Sequence, residues 1–194
     1  VEQLDISDKN LDKLRGLNKF TPNVWLLDAS HNHISHVEGI PQDIQILKLN
    51  DNSLTNLASF QFTNLQVLEL DGNHLENLSG LAPLTNLTKL SLASNNIANI
   101  DHLENFRMLR YLNLSNNEIS GQVDFSNYQL WLLEDLILDD NRINSLIGIE
   151  NLPNLVYLSA DRNKVRQLIC QGVRHENLKR LSLNSNILTE ASLQ

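Results

Sequence analysis

The sequence predicts an α/β solenoid: a horseshoe of about nine stacked repeats, with a parallel sheet lining the concave side and 3-10 turns or short helices on the convex side. Three observations predict it. The stretch LQVLELDGNHL (Leu65 to Leu75) spaces its leucines as a short strand followed by a turn, and that spacing returns from Val1, Val24, Ile44, Leu65, Leu87, Leu109, Leu133, Leu155 and Leu178. An asparagine follows each strand, at Asn32, Asn52, Asn73, Asn95, Asn117, Asn141, Asn163 and Asn186, with Lys9 in its place only in the first repeat. Beyond each asparagine runs a second apolar set three residues apart, as in Ile97, Ile100, Leu103 and Phe106 or Ile143, Leu146, Ile149 and Leu152.

Each element of the repeat has a physical reason. Leu68 and Leu70 alternate with Val67, Glu69 and Asp71, so a strand here buries one face and shows the other. Asn73 follows where the backbone turns, and its amide can pair peptide groups that the turn would otherwise leave unsatisfied inside. The three-residue apolar spacing suits 3-10 turns, and turns bulkier than strands force the stack to curve. Repeat starts lie 20 to 24 residues apart from end to end, which predicts one domain over residues 1–194 with no linker. Val1 opens directly on a repeat strand, as expected of a fragment cut from a longer protein.

Two repeats are irregular. The sixth, NNEISGQVDFSNYQLWLL (Asn116 to Leu133), places Gln122 where an apolar residue is expected, so its outer segment should bulge. The eighth contains LICQGVRHEN (Leu168 to Asn177); Leu168 and Ile169 should fill core while Arg174, His175 and Glu176 stay wet.

Composition narrows the function. At 41% hydrophobic and 20% charged residues the chain is that of an ordinary globular protein, and a net charge of −8 argues against a nonspecific nucleic-acid or anionic-membrane surface. The single cysteine, Cys170, cannot form an intramolecular disulfide, which points to a reducing, cytoplasmic setting. Against this stand the acceptor triplets for glycosylation at Asn77, Asn86 and Asn113, which a repeat rich in Asn, Leu, Ser and Thr also produces by chance. No apolar run reaches the roughly 20 residues of a membrane span.

Chemistry is hard to find. His31, His33 and His36 lie near Asp28 and Asp51, but an inward Asn32 sends the flanking imidazoles apart, which argues against a metal site. Cys170 and His175 lack a group to orient the imidazole, and Asp139, Asp140 and Asp161 read as a solvated rim. No phosphate loop, Cys-x-x-Cys or serine elbow appears, so the expectation is a non-catalytic protein without cofactor or metal.

What remains is the concave surface, written by the third, fifth and seventh residues of each strand. The third column runs Gln3, Leu26, Ile46, Val67, Lys89, Tyr111, Asp135, Tyr157 and Arg180. Leu26, Ile46 and Val67, with Trp25 beside them, form a candidate apolar anchor. Asp28, Lys48, Glu69 and Ile137 from the fifth column, and Asp71, Asp139 and Asp161 from the seventh, add an acid-rich surround. Tyr111, Ile137 and Tyr157 make a second apolar group bordered by Asp135, Asp139 and Asp161. The expected partner is a basic protein segment with apolar anchors, bound by a monomeric domain.

The pattern of NNIANI (Asn95 to Ile100) and NRINSLIGIENLPNL (Asn141 to Leu155) resembles the 22-residue class of leucine-rich repeats typified by the regulatory subunit of protein phosphatase 1 and by centrosomal and ciliary scaffolds. LPNLVYLSADRNKV (Leu152 to Val165) and LKRLSLNSN (Leu178 to Asn186) resemble the leucine-rich domain of centriolin-related fungal spindle-pole-body scaffolds for mitotic-exit signalling. The resemblance implies a protein-interaction module that recruits signalling or microtubule-organising partners. A phosphatase regulatory subunit is the alternative within the same class. APLTNLTKLSL (Ala82 to Leu92) shares its wording with internalin-type repeats, which keeps an extracellular adhesion or receptor ectodomain open.

Overall fold

The computed structural model describes residues 1–104, 106–169 and 175–189. Nine three-residue strands pair in chain order into one parallel sheet. They are β1 (Gln3–Asp5), β2 (Leu26–Asp28), β3 (Ile46–Lys48), β4 (Val67–Glu69), β5 (Lys89–Ser91), β6 (Tyr111–Asn113), β7 (Asp135–Ile137), β8 (Tyr157–Ser159) and β9 (Arg180–Ser182). The nine strands make about eight closed turns of solenoid. The register places Gln3, Leu26, Ile46, Val67, Lys89, Tyr111, Asp135, Tyr157 and Arg180 opposite one another in one unbroken column.

The middle residue of each strand faces inward. Leu27, Leu47, Leu68, Leu90, Leu112, Leu136 and Leu158 are at most 1% exposed, each burial contributing about 1.5–3 kcal/mol. Leu181 sits in the same column of β9 but is 41% exposed, because among the described residues β9 has a sheet neighbour on one side only.

After each strand the chain reverses through a left-handed residue. Asp8, His31, Asp51, Gly72, Ser94, Asn116, Asp140, Arg162 and Ser185 all have φ between 52° and 68°. Only Gly72 adopts this region without steric cost, so the other turns need a side chain to hold them. The ladder asparagines supply it. Asn73 is 3% exposed; its Nδ2 donates to the carbonyls of Leu70 at 3.0 Å and Leu49 at 2.9 Å, and its Oδ1 accepts the Leu54 N–H at 3.0 Å. Asn95 repeats this one turn later, bonding Leu92, Leu70 and Leu75. In the first turn Asn32 Oδ1 takes the N–H groups of both Lys9 and Leu11, which compensates for the missing asparagine.

The convex side carries the expected turns and, in addition, extended structure. A 3-10 turn forms at Ser79–Leu81 and at Ile149–Asn151, and one short helix at Leu17–Phe20. Over the C-terminal half, however, Ser120–Asp124, Arg142–Ile147 and Gln167–Ile169 form a second, three-stranded parallel sheet. Gln122 does not bulge. It is exposed while Val123 and Phe125 fill the core, and the register shift lies across from it, between Ile143 and Ser145. Leu168 packs against the core as expected, with Leu168 and Ile169 both half-buried; Cys170 and Arg174 fall outside the described residues.

Candidate functional site

Leu26, Ile46 and Val67 are opposite one another on β2, β3 and β4, and all three are half-buried. Asp28, Lys48 and Glu69 form the next column of the same face. Trp25 is offset from the strip. It precedes the strand and lies with Gln45 in a flanking column, the Gln45 N–H bonding its carbonyl at 2.9 Å. The apolar strip is therefore three residues wide on the concave face, with Trp25 at its edge.

Glu69 is not free. Its carboxylate accepts Lys89 Nζ at 2.8 Å and Asn50 Nδ2 at 3.1 Å. Burial pushes its pKa up, but these two bonds outweigh it and hold the group below the ordinary glutamate range. Lys89 also lies 5.4 Å from the Tyr111 ring centre, and Arg180 lies 5.0 Å from that of Tyr157. Both tyrosines of the C-terminal group thus present rings already covered by a cation. Asp135 stands between them in register, its pKa raised by burial and by neighbouring Glu134.

The seventh-column acids have a structural task that their sequence pattern did not disclose. Asp71 Oδ1 accepts the Ser91 hydroxyl at 2.7 Å and the Ala93 N–H at 2.8 Å. Asp139 takes the Ser159 hydroxyl and the Asp161 N–H, and Asp161 takes the Ser182 hydroxyl and the Asn184 N–H. Asn50 Oδ1 likewise accepts the Asp71 N–H, and Ser30 Oγ the Asn50 N–H. The cause lies in the asparagine ladder. It occupies the sixth-position carbonyl of the preceding repeat, so the seventh-position N–H pointing that way must find a side chain instead. Where the preceding seventh residue is Ala93 and cannot accept, Asn113 on the same strand takes the Ser115 N–H. Asp28 serves Ser30 in the same manner.

Bonding does not cancel charge. Across the third, fifth and seventh columns, carboxylates outnumber cations seven to three. Near the rim, Arg162 grips Asp140 through two bonds at 2.7 and 2.8 Å and approaches Asp139 at 3.9 Å.

The histidine cluster splits. His31 pairs with Asp51 at 3.1 Å and His36 with Glu38 at 3.6 Å, and all three imidazoles are exposed. Among the described residues no group of three or more His, Cys, Asp or Glu is placed to hold a metal ion, and no helix is long and apolar enough to cross a membrane. The outer groove near Arg142, Lys164 and Arg166 was missed from sequence. Its signal was there, since Arg142 and Lys164 each directly follow a ladder asparagine in consecutive repeats.

The family model for Leucine Rich repeats (2 copies) matches residues 85–128. Internalin C2 of Listeria monocytogenes superposes with a TM-score of 0.79 at 26% identity, covering 97% of this chain and 81% of that one. YopM of Yersinia enterocolitica superposes at 0.71 and 29% identity over 86% of this chain and 34% of its own. Among curated proteins, the septation initiation network scaffold protein cdc11 of Schizosaccharomyces pombe is 38% identical over 71 residues, or 36% of this chain. The match spans only 7% of that protein's length.

Proposed function

Proceeding from a leucine-rich-repeat solenoid, a protein-interaction fold, we propose that this chain is a non-catalytic scaffold module whose concave face holds a basic protein segment with apolar anchors. The observation that carries the reading is the register of Leu26, Ile46 and Val67, three half-buried aliphatic side chains on the concave face beside an acid-rich pair of columns. Asp28, Lys48, Glu69 and Asp71 surround that anchor, Trp25 edges it, and Tyr111, Asp135, Ile137, Asp139, Tyr157 and Asp161 extend the surface toward the C-terminal end. No cofactor enters this reading.

The likeness to cdc11, a septation scaffold, supports placing the module in the cytoplasm at a spindle pole body, recruiting signalling or microtubule-organising partners. A phosphatase regulatory subunit shares the repeat class. A second reading, an extracellular adhesion or receptor ectodomain, draws on the fit to internalin C2 over 97% of the chain.

Affinity purification of wild type and Ile46→Asp, followed by mass spectrometry, separates these readings. Spindle-pole proteins recovered with wild type and lost with the variant support the scaffold. A phosphatase catalytic subunit, or cell-surface proteins, recovered in their place would select the corresponding alternative.

A further inference from the structure

The outer side carries a surface of opposite chemistry. A groove of about 730 Å³ runs over the second sheet, where Arg142, Lys164 and Arg166 line it and, among the described residues, no carboxylate does, in a chain of net charge −8. Among the described residues none of these three cations forms an ion pair, whereas Arg15, Arg110, Arg162 and Lys89 each do. The groove also contains a buried group without a partner. Ser145 is 9% exposed, and its hydroxyl has no hydrogen bond.

The backbone explains how these residues meet. Ile143 faces Gly121 and Ser145 faces Gln122, so Asn144 is an extra residue, a bulge that sets Ser145 on the outer face in register with Gln122 and Gln167, while Leu146 turns inward with Val123 and Leu168. The next repeat is fixed alongside, the Lys164 N–H bonding the Ile143 carbonyl and the Arg166 N–H that of Asn144. Three cations from two adjacent turns therefore converge over a floor with an idle hydroxyl. Such a hydroxyl left unpaired is destabilising, and a ligand oxygen would give it an acceptor.

We propose that this groove binds a phosphorylated side chain of an extended partner peptide. Two guanidinium forks and an ammonium offer more donors than one carboxylate can accept, whereas a phosphate monoester presents three oxygens and close to two negative charges at neutral pH. The groove is larger than the anion alone, and Gln122 and Asn144 also line it, offering amide groups to the peptide. This site is independent of the concave face, in position and in sign of charge.

The test uses the whole chain and two immobilised degenerate peptide libraries that differ only in phosphorylation of a fixed central serine. Wild type should retain the phosphorylated library selectively. The exposed double variant Arg142→Gln, Arg166→Gln should keep its melting temperature and lose about tenfold or more of that retention. Arg142→Lys, Arg166→Lys should recover part of it, Ser145→Ala should lose severalfold, and Ile46→Asp should lose none. Equal retention of both libraries, or a folded double glutamine variant that binds like wild type, would overturn the proposal. So would binding of phosphoinositide vesicles or of inorganic phosphate as tight as that of the phosphorylated library, since either removes the peptide from the recognition.

Discussion

Asp161 donates its backbone N–H to Asp139 Oδ1 at 2.9 Å, so two carboxylates side by side on the concave rim are joined through the main chain of one and the side chain of the other. Asp139→Ala removes this acceptor and that of the Ser159 hydroxyl together, and should destabilise by about 1–3 kcal/mol. Asp139→Asn keeps an acceptor oxygen and should recover most of the loss. Urea melts of the pair decide it: equal midpoints for the Ala and Asn variants would mean the rim bonds contribute nothing.

The inner ladder should respond similarly. Asn73→Ala strands the N–H of Leu54 and the carbonyls of Leu49 and Leu70 at a site 3% exposed, for a loss of about 1–3 kcal/mol, and Asn95→Ala should match it. Denaturant midpoints of both variants unchanged from wild type would refute the ladder's role.

Asp71 sets a pH dependence. Burial, the largest cause, raises its pKa above the ordinary aspartate value despite bonds from Ser91 and Ala93. The folded chain then holds the proton more tightly than the unfolded chain. The contribution to stability is complete below the unfolded pKa and is lost as pH rises through the folded one. Asp71→Asn should therefore raise the melting temperature at pH 7 relative to wild type, with the gain vanishing near pH 3. Glu69 runs the other way: its lowered pKa gives stability that is present above the ordinary glutamate range and lost on acidification. Melting curves of Asp71→Asn and Glu69→Gln across this range should diverge in opposite senses, and parallel curves would sink the assignment.

Gly80 marks a tight contact between neighbouring outer turns. A Cβ there would stand 2.4 Å from the Leu57 carbonyl oxygen, so the backbone must shift to admit it. Gly80→Ala should cost about 1–3 kcal/mol, although alanine favours the local helical geometry. Calorimetry showing a gain instead would mean the turns are not in contact.

Ile46→Asp tests the concave strip without touching the core. Ile46 is half-buried on the concave face rather than in the core, so the melting temperature should change little, while binding of a copurified partner should weaken by about 2 kcal/mol or more. Wild-type affinity in a folded variant, measured by titration calorimetry, would move the site to Tyr111, Ile137 and Tyr157.

The concave register was legible because strands of period two leave little freedom once leucines mark the inward column, and Leu26, Ile46 and Val67 align as their spacing requires. The asparagine ladder was legible for the same reason. The rim bonds were not, because Ser30, Asn50, Asp71, Asp139 and Asp161 differ in residue type and share only an acceptor atom; serines 91, 159 and 182 in the following strands were the available signal. The left-handed turn was hidden too, occupied as it is by Asp, His, Gly, Ser, Asn and Arg. On the convex side, Gln122 broke the apolar pattern, but the sheet absorbed it by exposing Gln122 and shifting register at Asn144.

The rim bonds are unevenly distributed, although the main-chain ladder runs unbroken through β6. They link β2 through β5 into one arm and β7 through β9 into another. Among the described residues no seventh-position side chain bonds across to β6 or from it: Ala93 has no acceptor, and the Ser115 hydroxyl turns to Asn113 on its own repeat. The first arm carries the aliphatic strip, the second the paired carboxylates. Hydrogen exchange should then find the Ser115 amide opening more readily than those of Ala93 and Asp161, with protection rising there when a partner bridges the two arms.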